Sequence, residues 1–261
     1  GGPEPAPRPA DDERHADRRT GLRAASGHAT ATPAAGHPPG ERSAGVVRPA
    51  VGAALAALVA TALSVAVSGS PAPAWELDVV DAATRLPDAI GYPLRGVMQL
   101  GTTPAALAAG LVVWFVVERW RPALTVTAAG LLASLVATRA KLLVDRDRPS
   151  GVRIREAHDT LGFPSGHTAV AVALAVAVAA LLPRRWRLVA YGAGALVGVA
   201  RMHVGVHFPL DVVGGALIGV AAGLGVRAVV NGPLADRPRR GPPGRSTRRA
   251  GPPRADHPGV R

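Results

Sequence analysis

The chain has no cysteine, only 3% aromatic residues, two methionines and a single lysine among 30 basic residues. Without cysteine there is no disulfide framework and no thiolate metal site. The scarcity of aromatics leaves little surface on which bases could stack. A formal charge of +12 would otherwise suggest nucleic acid as a partner. However, many of the arginines sit in two Pro/Gly-rich ends, so no nucleic-acid partner is expected. The lone lysine, Lys141, is the one compact ammonium in a chain that otherwise uses arginine for its cations.

The chain does have long apolar runs, 48% of its 261 residues being hydrophobic and these concentrated in the middle. Residues 1–45 are Pro, Gly, Ala and charge without apolar periodicity, and are expected to be a disordered tail. No signal peptide is read there, because the apolar run starts too late. Residues 231–261 are Pro, Gly and Arg, and are expected to be a second disordered tail. Between them, 46–230 reads as one membrane domain. Runs without charge at 49–69 and 96–117, and further runs at 122–144, 167–182, 188–202 and 209–230, predict six spans. The fold expected is all-α: an integral membrane six-helix bundle. Residues 75–90 mix Trp75, Glu76, Asp78, Asp81 and Arg85 with Leu77, Val79 and Val80, the pattern of an amphipathic segment at the membrane surface. Gly215, Gly219 and Gly223 recur at helical spacing and predict a face for close helix packing.

Three polar clusters end these runs: Lys141 to Arg148-Pro149, Pro164-Ser165-Gly166-His167, and Arg201 to His207 and Asp211. Span counting puts all three on one side of the membrane. Ionisable groups at such positions are costly and mark function. Lys141, Arg148 and Arg201 repel one another unless an anion joins them, and phosphate suits that role. Ser165 and Gly166 open a helix whose first N–H groups form an anion site. His167 and His207 beside a phosphate suggest a nucleophile and a general acid. Asp211, one helical turn after His207, is placed to orient its ring. His203, His207 and Asp211 are also spaced like metal ligands, but Gly205 and Pro209 interrupt any helix and nearby cations oppose a metal. No metal or other cofactor is expected, and His203 reads as structural.

The three clusters resemble the signature motifs of the type 2 phosphatidic acid phosphatase superfamily. Those motifs are Lys, six residues, Arg-Pro; Pro-Ser-Gly-His; and Ser-Arg, five residues, His, three residues, Asp. All spacings match here, with Ala200 in place of the usual serine. The resemblance implies a metal-independent membrane phosphatase acting on a lipid phosphate or diphosphate. By that analogy His207 attacks phosphorus to form a phosphohistidine and Asp211 supports it. His167 protonates the leaving oxygen and then activates water. Lys141, Arg148, Ser165, the Gly166 N–H and Arg201 hold the phosphate. Bacterial members act on phosphatidic acid, phosphatidylglycerol phosphate and polyprenyl diphosphates. The alternatives carried alongside are a phosphotransferase with a non-water acceptor and a non-enzymatic anion or lipid transporter. With the motif cations set aside as functional, the remaining arginines favour tails inside and an extracytoplasmic site.

Overall fold

A computed structural model describes Gly1, Gly2 and residues 39–156 and 161–232. The expected tails at 3–38 and 233–261 lie outside the described residues. Every element described below belongs to the compact unit that begins at His37. Its helices are α1 (Pro39–Val67), α2 (Ala74–Thr84), α3 (Asp88–Met98), α4 (Thr103–Val117), α5 (Trp120–Val144), α6 (Gly166–Ala179), α7 (Arg184–His203) and α8 (Pro209–Val230), with a 3₁₀ turn at Gln99–Gly101. Among the described residues there is no β-strand, only an isolated bridge between Asp147 and Leu161. The expected all-helical bundle is therefore present.

Helix α6 is its centre. It packs on α5, α7 and α8, while α1 lies on α8, α4 on α5, and α2 and α3 on α7. Small residues allow this close approach. A Cβ at Gly219 would lie 2.5 Å from the Ala169 carbonyl oxygen, and one at Gly223 would lie 2.8 Å from Val176. The expected glycine face of α8 is thus the face against α6. The shared core is mostly Ala and Val, including Ala129, Ala133, Ala169, Ala173 and Val126. By contrast Leu58, Val65, Leu111, Phe115 and Val116 face outward. So large an exposed apolar surface suits lipid and would be anomalous in water.

Three expectations need correction. Residues 39–45 are helical rather than irregular. The apolar run nucleates α1, which propagates back to Pro39, a residue tolerated at a helix start. The run at 96–117 is not one straight span, since α3 with its 3₁₀ turn meets α4 at a 73° bend. Thr102 caps α4 there, accepting from the Ala105 N–H at 3.3 Å. By length and composition, α1, α5 and α8 qualify as membrane-crossing helices, with the bent pair a fourth. Helix α6 is apolar but has only 14 residues. That is about 21 Å at 1.5 Å per residue. That is shorter than the stretch that usually crosses a bilayer, and α6 is the buried centre of the bundle. Helix α7 opens with Arg184, Arg185 and Arg187 and closes on Arg201 and His203, which lowers its mean hydropathy.

Candidate active site

The site forms where the end of α5, the start of α6 and the α7–α8 turn meet. Asp145 ends α5 in the left-handed region at φ 50°, with its N–H bonded to the Lys141 carbonyl. This turn redirects the chain so that Arg146 and Arg148 point inward. The Lys141 Nζ reaches back to donate to the Leu161 carbonyl at 2.8 Å, and the Gly162 N–H donates to the Arg146 carbonyl at 2.7 Å. The first cluster is thereby tied to the residues leading into the second.

Helix α6 begins at Gly166 with Ser165 as its N-cap. Ser165 Oγ accepts from the Thr168 hydroxyl at 2.9 Å and stands 3.5 Å from the Thr168 N–H. The Ser165 N–H donates to the Asp211 carbonyl at 2.9 Å, which joins the second cluster to the third. Ser165 is fully buried, so part of its role is to fix the helix start. The backbone of His167 rests on the 3₁₀ turn: a Cβ at Gly101 would lie 2.4 Å from the His167 carbonyl oxygen.

Helix α7 ends at His203, and Gly205 turns the chain at φ 81°. A Cβ on Gly205 would lie 2.5 Å from the Arg153 carbonyl oxygen, so both conformation and space require glycine. Pro209 then begins α8, as its spacing predicted, and Asp211 falls in the first turn. Asp211 Oδ2 accepts from the Phe208 N–H at 2.8 Å, capping α8. The same oxygen stands 3.5 Å from His207 Nδ1, which makes no hydrogen bond in this state. His207 and Asp211 thus face each other as their spacing suggested, about half an ångström beyond an ordinary hydrogen bond.

His207 is buried and its Nε2 lies 3.3 Å from Arg148 Nη1, which also donates to the Val206 carbonyl at 2.7 Å. Burial pushes the His207 imidazole well below its ordinary value of 6.5, and Arg201, Arg148, Lys141 and His167 push it further the same way. The ring is therefore neutral near pH 7. Every motif residue named from the sequence thus belongs to one cluster. Arg201 is the exception in its partner, because its Nη1 donates to Glu156 Oε2 at 2.6 Å and to Met98 Sδ at 3.2 Å.

His203 points elsewhere. Its Nδ1 is 2.9 Å from the Ala83 carbonyl, and its Nε2 is 2.7 Å from where a Cβ on Gly91 would stand. It fastens α2 and α3 to α7, the structural role expected of it. Among the described residues no group of three or more His, Cys, Asp or Glu is placed to hold a metal ion.

The sequence reading missed Glu76, Arg146 and Glu156. Glu76 is fully buried and sits on the inward stripe of α2 with Val80 and Thr84, while Leu77 and Val79 face out. The amphipathic pattern was real, but the buried stripe contains the acid and part of the apolar set faces outward. The available signal was Arg146, a further arginine inside the first cluster that needs a counter-charge if buried.

Residues 105–233 match the PAP2 superfamily. The chain belongs to that superfamily. Among solved structures, its fold is similar to a transmembrane PAP2-type phosphatidylglycerolphosphate phosphatase from Bacillus subtilis, with a TM-score of 0.58 and 22% identity over 68% of this chain and 95% of that one. It is also similar to LpxE from Aquifex aeolicus, with a TM-score of 0.53 and 22% identity over 57% of this chain and 93% of that one. No curated protein matches the chain in sequence. The matched PAP2 segment contains all eight motif residues and starts after α3, so Glu76 lies outside it. As a PAP2 member with apolar crossing helices, the chain is a membrane protein and a PAP2-type phosphohydrolase.

Proposed function

We propose that this protein hydrolyses a lipid phosphate or diphosphate monoester through a phosphohistidine, without a metal ion. The observation that carries this reading is one buried histidine, His207, set among Arg148, Arg201 and Lys141 with Asp211 behind its ring. The cations bind the phosphate oxygens and offset the charge that builds in the transition state. Ser165 contributes its O–H proton, and Gly166 its N–H at the start of α6. His207 Nε2 attacks phosphorus as the bond from phosphorus to the lipid oxygen breaks. His167 gives its proton to that oxygen. Water then attacks phosphorus, the bond to Nε2 breaks, and His167 takes the water's proton. Asp211 steadies the ring and its positive charge throughout.

Two hollows support a lipid as the substrate. A cleft of about 480 Å³ opens beside Arg148, lined by Ser70, Asp145, Asp147, Ser150 and Phe208, and suits a polar headgroup. A groove of about 230 Å³, lined by Leu100, Ala171, Leu174, Ala175 and Val178, runs along α6 below His167 and suits an acyl chain. The protein is read as multi-pass with the site on the extracytoplasmic face, since Arg119, Arg121, Arg184, Arg185 and Arg187 lie on the turns opposite the site. Phosphate release by purified protein in detergent with EDTA, on phosphatidic acid, phosphatidylglycerol phosphate and a polyprenyl diphosphate, tests the proposal. Turnover of one of them that vanishes in His207→Ala is expected. Failure on all three by folded protein, or full activity in His207→Ala, refutes it.

A further inference from the structure

We infer that Glu76 and Arg146 are positioning residues that hold Asp211, and through it His207, in the reactive arrangement. The inference rests on the phosphohydrolase reading above. Neither residue belongs to the three motifs, and Glu76 lies on α2, outside the PAP2-matched segment.

The contacts form a continuous chain. Glu76 Oε1 accepts from the Leu210 N–H at 2.9 Å, in the first turn of α8. Glu76 Oε2 accepts from Arg146 Nη2. Arg146 Nη1 donates to Asp211 Oδ1 at 2.9 Å. Asp211 Oδ2 then faces the Phe208 N–H and His207 Nδ1. The Arg146 guanidinium also lies 4.9 Å above the Phe208 ring, next in sequence to His207. Glu76 and Arg146 therefore grip the same short turn that carries both catalytic groups.

Burial shows why this is more than a staple. Glu76 and Asp211 are fully buried and Arg146 is 5% exposed. Two buried acids share one guanidinium. Buried ion pairs of this kind rarely add stability over apolar residues of similar volume. What the arrangement does supply is direction. With Oδ1 held by Arg146 and Oδ2 held by the Phe208 N–H, the Asp211 carboxylate has one orientation. So oriented, it faces His207 Nδ1 as an acceptor. A proton on Nδ1 then leaves the Nε2 lone pair, beside Arg148, for phosphorus. Gly162 closes the remaining side, since a Cβ there would lie 3.1 Å from Asp211 Oδ2.

The test compares wild type, Glu76→Gln, Asp211→Asn and the double variant in detergent. The readouts are kcat, inhibition by inorganic phosphate, and the His207 tautomer by ¹⁵N NMR of histidine-labelled protein. Glu76→Gln keeps the shape and the acceptor for Leu210. The expected result is a fall in kcat of about 10- to 100-fold, the size seen when a hydrogen-bond partner behind a metal-ligating side chain is lost. Phosphate inhibition stays unchanged, because Lys141, Arg148 and Arg201 are untouched. The double variant is no slower than Asp211→Asn, and the Nδ1–H tautomer of His207 loses its dominance in Glu76→Gln. Wild-type kcat, a loss that multiplies with Asp211→Asn, or phosphate affinity falling in step with kcat overturns the inference. Should Glu76→Gln fail to fold, Arg146→Lys takes its place, keeping the charge but not the fork that reaches both acids, with the same outcomes deciding. If wild type turns over no lipid phosphate, the proposed function fails, while the tautomer measurement still decides whether Glu76 and Arg146 set His207.

Discussion

Substitution of Gly215 should uncouple catalysis from most of the fold. A Cβ at this position would lie 2.4 Å from the Ser165 carbonyl oxygen, and ordinary contact begins at 3.4 Å. In Gly215→Ala the start of α6 and the first turns of α8 must therefore separate by about 1 Å, the difference of those two distances. The Ser165 N–H to Asp211 carbonyl bond, 2.9 Å long, spans that same gap and is stretched with it. Overpacking of this size costs about 1–3 kcal/mol of stability. Displacing reacting groups by about 1 Å costs about 100-fold in rate. Gly219 is the control, because its Cβ would lie 2.5 Å from the Ala169 carbonyl oxygen. The steric insult is similar but sits about 6 Å further down α8, at 1.5 Å per residue. Thermal melting in detergent should drop similarly for both alanine variants, while kcat drops strongly only in Gly215→Ala. Equal loss of kcat in the two, or wild-type kcat in Gly215→Ala, would refute the claim that this contact sets the geometry of the site.

Glu156 holds Arg201 Nη1 at 2.6 Å and competes with phosphate for that guanidinium; Glu156→Gln should tighten inhibition by inorganic phosphate, measured as a lower inhibition constant. Ala200 lies in an apolar cluster with Leu94, Met98, Val204 and Val206, so Ala200→Ser should cost about 1 kcal/mol in melting experiments and leave phosphate inhibition unchanged. His207 is held neutral below its ordinary value of 6.5, whereas in the unfolded chain it takes up a proton near that pH. The unfolded state then binds more protons, so stability should be lost as pH falls below about 6.5, and His207→Asn should flatten that part of the profile. Gly205→Ala should lower the melting temperature, since it places a side chain both at φ 81° and 2.5 Å from the Arg153 carbonyl oxygen.

Much of the chemistry was legible because its carriers are local. Pro209 can start a helix but not continue one, so Asp211 had to fall in the first turn of α8, one turn from His207. Gly205, like Pro209, marks a break between α7 and α8 from its residue type alone, and it turns the chain at φ 81°. The glycine stripe of α8 was visible as a spacing, and it became the contact with α6. Uncharged runs bounded by polar clusters were enough to expect a helical membrane bundle with its polar groups together. Other features were not legible in this way. The bend within 96–117 seats Gly101 against His167, a contact between segments far apart in sequence. That α6, with 14 residues, is the buried centre depends on the helices around it.

The amino-acid sequence by itself determined which groups make up the proposed phosphate site, since short spacing along the chain pairs Lys141 with Arg148 and His207 with Asp211. The tertiary structure alone decided what stands behind them. Glu76 is separated from Asp211 by most of the chain, and only the packing of α2 against α7 and α8 brings it to Arg146. Apart from the extra Arg146 in the first cluster, charge burial leaves no one-dimensional signature: an acid on an amphipathic helix looks solvent-facing until the fold surrounds it with a guanidinium. The physical reason is one of range. Caps, turns and helical spacing act over a few residues, whereas the low-dielectric setting that makes a buried carboxylate useful exists only once distant segments have closed around it.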